Sequence, residues 1–297
     1  MPMSTPRPSF SLYRESLAII NGLLGDWLHH RGNPLALNMY LSGKPKTDAQ
    51  CQRKICVLVH GLTETSSIWD YPKRRDTDYG ALLARFEAFS PLYLHYNTGL
   101  GLRENGELLA AELERLVQDW PTPIDQLCLI GHSMGGLIIR AACEAGRSEQ
   151  KPWLASVSEC VYLGTPHLGA PLARLAHQGA QWLRRQELVP LQVAGELLDV
   201  RSTGICNLTS GCWDTLSPPT LVNGIRHFVA SGSLHVASNA RTDEIPGDAL
   251  VPRSSARGPH SEVWGLAGEA HFAGVGHLRL AHHSDVYLQI AQWCRHE

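Results

Sequence analysis

The chain has 297 residues, 18% of them charged, with a formal net charge of -2. That balance leaves no broad basic surface, which argues against nucleic acid or anionic lipid as a partner. The opening "MPMSTPRPSF" has no charged region leading into an apolar one, and runs such as "LCLIG" fall far below the roughly 18 residues that span a bilayer, so a cytoplasmic protein with at most peripheral membrane contact is expected.

In chain order, Tyr13, Leu17, Ile20, Leu24 and Trp27 recur at helical spacing and predict an N-terminal amphipathic helix, within residues 1–34, that packs on the core. Short apolar runs follow: "LALNMYL", "KICVLVHG", "PLYLHYN", "QLCLIGHS", "SECVYLGTP" and "RHFVASG". Helical patterns separate several of them. In "NGELLAAELERLVQDW", Leu109, Leu113, Leu116 and Trp120 keep a helix period and Asn105 stands where a cap is expected. In "MGGLIIRAACEAG" a second helix opens after Ser133. Continuous apolar strands alternating with helices predict an α/β fold with a mostly parallel sheet covered on both faces.

The alternation lapses between residues 170 and 219, where an amphipathic helical stretch and the turn-rich "STGICNLTSGCWDTLSPP" predict a helical cap inserted over the carboxyl ends of the strands. Residues 35–169 and 220–297 then form the core. Leu172, Leu175, Trp182, Leu183 and Leu188 would pack the cap or line an acyl pocket. Eight cysteines are scattered without a CxxC pair, so metal spacing is absent and a reducing compartment is expected; Cys206 and Cys212 are the one spacing that could close a short loop. No cofactor and no metal is expected.

"Gly131-His132-Ser133-Met134-Gly135" sits between the run "LCLI" and the pattern "GLIIRAA", the strand-turn-helix context in which a G-x-S-x-G serine is exposed as a nucleophile. The helix start directs free N–H groups at that apex, so Met134 is the expected first oxyanion donor. The second is expected from the loop after "Val57-Leu58-Val59-His60-Gly61-Leu62", with Leu62 N–H as donor. A serine needs a base, and the base an orienting carboxylate, in the order serine, acid, histidine. "DEIPGDALVP" offers Asp243, Glu244 and Asp248, of which Asp248 fits a tight loop at a strand end. Among His271, His277, His282 and His283, His277 in "GVGHLRL" fits the loop before a last helix that starts near Asp285 with Ser284 as its cap. His60, His132 and His167 are residues that could contact substrate or anchor their loops.

Taken together, "VLVHGL", "YLHYNTG", "GHSMGGL", "YLGTPHLGAPL", "GDALVP" and "GHLRL" resemble the serine α/β-hydrolases of the lipase and esterase superfamily, in the bacterial branch related to GPI inositol-deacylases. The resemblance runs from about residue 20 to 294. It implies an α/β-hydrolase fold with nucleophile Ser133, acid Asp248 and base His277. It departs from the family's pattern at Ala249, often glycine, and at Arg279, often acidic. The reading is a carboxylic ester hydrolase for lipid-like or medium-chain acyl esters. The same residues would serve an acyltransferase, thioesterase or amidase, and the reading from another class is a non-catalytic binding scaffold.

Overall fold

A run of six residues, Lys54–Val59, with five of its side chains fully covered, forms β2 at the centre of the molecule. In this computed structural model the described residues are 9–72, 74, 77–170, 202–210, 220–234, 248, 250–259 and 264–295. Around β2 lie β1 (Tyr40–Ser42), β3 (Phe89–His95), β4 (Gln126–His132), β5 (Val157–Leu163), β6 (Arg226–Ser233) and β7 (Gly268–Ala273). They make one sheet in the order β1-β3-β2-β4-β5-β6-β7, parallel except for the antiparallel β1–β3 pair. The chain reverses direction of progress at β2 and β4, which lie side by side, and such a switch point opens a crevice beyond the strands' carboxyl ends.

Among the described residues the helices are α1 (Ser9–His30), α2 (Tyr79–Glu87), α3 (Leu102–Asp119), α4 (Met134–Ser148), α5 (Thr203–Ser210), α6 (Arg253–Arg257) and α7 (Ser284–Cys294). Among the described residues the two large apolar cores lie one on each sheet face, with a small third cluster of Leu250, Val251 and Ala256. Val57, Val59, Leu109, Leu113, Leu137 and Ile138 belong to one; Leu58, Ile130, Leu83, Val286 and Ile290 belong to the other. The α/β class read from the strand and helix alternation is the observed one.

Three local expectations are corrected. The stripe expected to bury α1 faces outward in part: Tyr13 is 58% and Trp27 51% exposed, while Ala18, Asn21, Gly22, Gly25 and Leu28 are covered. Hydrogen bonding and close approach decide this, not apolar content. Asn21 donates to the Leu17 and Leu35 carbonyls and accepts from Leu37 N–H, and a β-carbon on Gly25 would stand 1.8 Å from Asn97 Oδ1. Asn105 does not cap α3. It is buried one turn inside, donating to the Asn97 and Leu100 carbonyls, and the cap oxygen comes from Asn207 of α5, which accepts from Leu102 N–H. At α7 the cap is His283, whose Nδ1 accepts from Asp285 N–H, in place of Ser284.

Of the segment assigned to a cap, residues 171–201 and 211–219 lie outside the described residues, and with them Leu172, Leu175, Trp182, Leu183, Leu188 and Cys212. The part that is described, Ser202 with α5, is tied to α1 and the loop before α3. Ser202 Oγ donates to Gly22 O, Thr203 N–H to Asp26, and Gly204 N–H to Gly99 O. No helix among the described residues is long and apolar enough to cross a membrane.

Candidate active site

β4 passes into α4 without a loop, and Ser133 is the one residue between them, at φ 53 and ψ -125. A side chain with a β-carbon is strained in that conformation by about 1–3 kcal/mol, and such strain collects at functional sites. Packing holds it. Ser133 N–H extends the β4–β5 ladder by donating to Leu163 O at 2.8 Å. The flanking glycines are required by approach distances: a β-carbon on Gly131 would stand 2.5 Å from Gly136 N, and one on Gly135 2.2 Å from Val59 O.

The free end of α4 and the loop after β2 meet at this serine. A β-carbon on Gly61 would stand 2.9 Å from Ser133 Cβ, so Gly61 lets the loop lie against it. The N–H groups of Leu62 and Met134 donate to no backbone acceptor in the turns and loops of the described residues. Gly61 N–H is already used, donating to Glu64 Oε2 at 2.6 Å, and Thr63 N–H donates to Thr98 Oγ1. The loop therefore leaves Leu62 N–H as its available donor, beside the positive end of α4.

Asp248 and His277 lie 2.7 Å apart, Oδ2 to Nδ1, both almost fully buried. Asp248 Oδ1 accepts from Leu250 and Val251 N–H, and its carbonyl accepts from His277 N–H at 2.9 Å, so backbone and side chain join the two residues twice. Burial pushes the Asp248 carboxyl up, but the His277 ring and these N–H donors outweigh it and hold it below the usual carboxylate value. The remaining His277 nitrogen, Nε2, is buried with no hydrogen-bond partner among the described residues. Gly164, at φ 59 directly after the Leu163 that binds Ser133, leaves room for the pair. A β-carbon there would stand 3.0 Å from Asp248 Oδ2 and 3.1 Å from His277 Cε1.

Of the other histidines singled out from the sequence, His60, His132 and His167 are buried, His282 and His283 are half-buried, and His271 is exposed. His60 is buried, its Nδ1 against Gly61 O, and burial lowers it to about 4. His167 is fully buried between the Tyr162 and Trp264 rings and accepts from Arg140 at 3.2 Å. His132 lies beneath the serine, between Glu64 and the His277 carbonyl. His282 stands against Ile68 O. Asp243 and Glu244 lie outside the described residues. Glu64 was not anticipated; its only sequence signal is that it is the sole carboxylate in "HGLTETSS", three residues past Gly61. Among the described residues no group of His, Cys, Asp and Glu is arranged to hold a metal ion.

Residues 49–194 match a family model described as "Putative serine esterase (DUF676)". That stretch contains Ser133 and Leu62 and stops before Asp248 and His277. Among solved structures, the mature form of the lipase BlEst2 from Bacillus licheniformis is similar at a TM-score of 0.56 and 19% identity, over 86% of this chain and 98% of that one. An esterase from Pyrobaculum calidifontis is similar at 0.52 and 12%, over 97% and 93%. The RedJ thioesterase of prodiginine biosynthesis in Streptomyces coelicolor is similar at 0.51 and 15%, over 84% and 92%. At these identities the likeness is one of fold. No curated protein sequence matches the chain.

Proposed function

We propose that the chain is a serine hydrolase of the lipase and esterase kind, cleaving carboxylic esters through Ser133, His277 and Asp248; the match of residues 49–194 to a serine esterase family model and the likeness of fold to a lipase and an esterase support this reading. The observation that carries this reading is the buried Asp248–His277 pair with His277 Nε2 unpartnered, together with a serine held at positive φ on the end of a helix and bound through its N–H to Leu163, the residue before the Gly164 that packs on that pair. Ser133 Oγ attacks the ester carbonyl while His277 Nε2 takes its proton. Asp248 holds Nδ1–H and stabilises the imidazolium that results. The carbonyl oxygen, now negative, is received by Leu62 and Met134 N–H. His277 returns the proton to the leaving alcohol. Water then enters, His277 takes its proton, and the acid is released from the acyl-enzyme.

The substrate we infer is a small ester with a lipid-like or medium-length apolar acyl group. Supporting this, Leu168, Leu234 and Leu278 are each more than two-fifths exposed and follow His167, β6 and His277 at the site's end of the sheet. Residues 170–219 would cover that end as a cap. Hydrolysis of p-nitrophenyl esters from acetyl to palmitoyl tests the reading. A maximum at intermediate acyl length is expected, and a folded protein that turns over thioesters or amides but none of these esters would replace the substrate class.

A further inference from the structure

Both ring nitrogens of His132 face oxygen. Nδ1 stands 3.0 Å from Glu64 Oε2, and Nε2 stands 3.0 Å from the backbone carbonyl oxygen of His277. A carbonyl oxygen can only accept. Glu64 Oε2 is already accepting Gly61 N–H at 2.6 Å, a short bond of the kind a charged carboxylate makes. A neutral imidazole has one N–H and one lone pair, so in either tautomer one nitrogen would set its lone pair against an oxygen lone pair, in a site where His132 has no exposed surface. Against an ionised Glu64, whose carboxyl is held below the usual carboxylate value, only the doubly protonated ring satisfies both contacts.

We propose that His132 is a positioning residue, held as an imidazolium between the Glu64 carboxylate and the His277 carbonyl, where it ties the oxyanion loop to the loop carrying the base. The inference rests on the reading of Ser133 and His277 given above. Glu64 sits at the hub: one oxygen fixes Gly61, immediately before Leu62, and the same oxygen receives His132 Nδ1–H. His132 then fixes the backbone of His277, whose own N–H is bound to Asp248 O. A single chain of bonds thus runs from the oxyanion loop, under the nucleophile, to the acid–base pair. A displacement of either loop would be felt by the other.

The surroundings support the charge. Facing His132 are the carboxylates of Glu64 and Asp248, the His277 ring at 4.8 Å between centroids, the edge of Trp69 at 6.3 Å, and the rings of His60 and His282. Burial lowers both His60 and His282, so neither competes for a proton near neutral pH. Burial also works against a charged His132, but Glu64, the His277 carbonyl and Asp248 raise it above the ordinary histidine value. Glu64, pushed up by burial, is brought below the usual carboxylate value by His132 and Gly61 N–H.

Nitrogen-15 NMR of the histidine-labelled protein tests this directly. At pH 8, where unperturbed histidines with pKa about 6.5 are neutral, one ring with both nitrogens protonated is expected, and it disappears in His132→Asn. A wild-type spectrum without any doubly protonated ring at that pH overturns the proposal even if the variant fails to fold. In Glu64→Gln the ring is expected to become neutral and kcat to fall by up to about 10²-fold with KM little changed, the signature of misplaced groups. Full kcat in a folded Glu64→Gln protein with a neutral ring overturns the positioning role. An active Ser133→Ala protein overturns the nucleophile assignment, and the positioning role with it, while leaving the charge state measured.

Discussion

A β-carbon on Gly135 would stand 2.2 Å from the carbonyl oxygen of Val59, so the first turn of α4 rests directly on the end of β2. Backbone meets backbone here, and no side chain can swing aside. Gly135→Ala should therefore displace α4 and, with it, Ser133 and Met134 N–H. Overpacking of this kind costs about 1–3 kcal/mol or more. Urea denaturation should show the loss, and ester turnover should fall further than stability alone explains; a variant with unchanged midpoint and turnover would mean the contact relaxes freely.

The orientation of α1 gives a paired prediction. Trp27 is half exposed and Leu28 is 4% exposed, although only the former belongs to the apolar stripe read from spacing. Trp27→Ser should change stability by no more than about 0.5 kcal/mol, and Leu28→Ala should cost about 2–5 kcal/mol. Denaturation midpoints of the two variants check it, and the reverse order would restore the stripe as the buried face.

Acid should destabilise the fold through histidines buried neutral. Burial lowers His60 and His227 to about 4 and holds His167 well below the usual histidine value, so the folded chain stays unprotonated there while the unfolded chain takes up protons below about 6.5. The unfolded state binds more protons, so stability falls as pH drops from about 6.5 toward 4, by about 3 kcal/mol for His60 alone. Replacing His60 with Gln should flatten that limb. His132 has the opposite sign: raised in the fold, it stabilises below its unfolded value and loses that contribution as pH rises through its folded one. Denaturation midpoints across pH separate the two limbs.

Much of the fold and the candidate site could be read from the sequence, and the failures have physical causes. The strand-turn-helix at Ser133 was legible because two-sided burial makes β4 and α4 continuously apolar and close approach demands glycine at 131 and 135. β7 was not, because an edge strand need bury little; its six residues alternate between half-buried and exposed, and no apolar run marks it. α1 was read with the wrong face because its contacts are made by Asn21, Gly22 and Gly25, which carry no hydrophobic signal. Asn105 was read as a cap because its type suits one, whereas the acceptor comes from α5, some hundred residues later in the chain. Glu64 was invisible for the same reason: its partners Gly61 and His132 meet only when β2 and β4 lie side by side.

The central claim is that Ser133 is an activated nucleophile. Treatment with a fluorophosphonate, followed by mass spectrometry of the peptides, tests it most directly. The account predicts one adduct, on Ser133, absent in Ser133→Ala and formed much more slowly in His277→Ala. A folded wild-type protein that forms no adduct, or forms it on another residue, would contradict it.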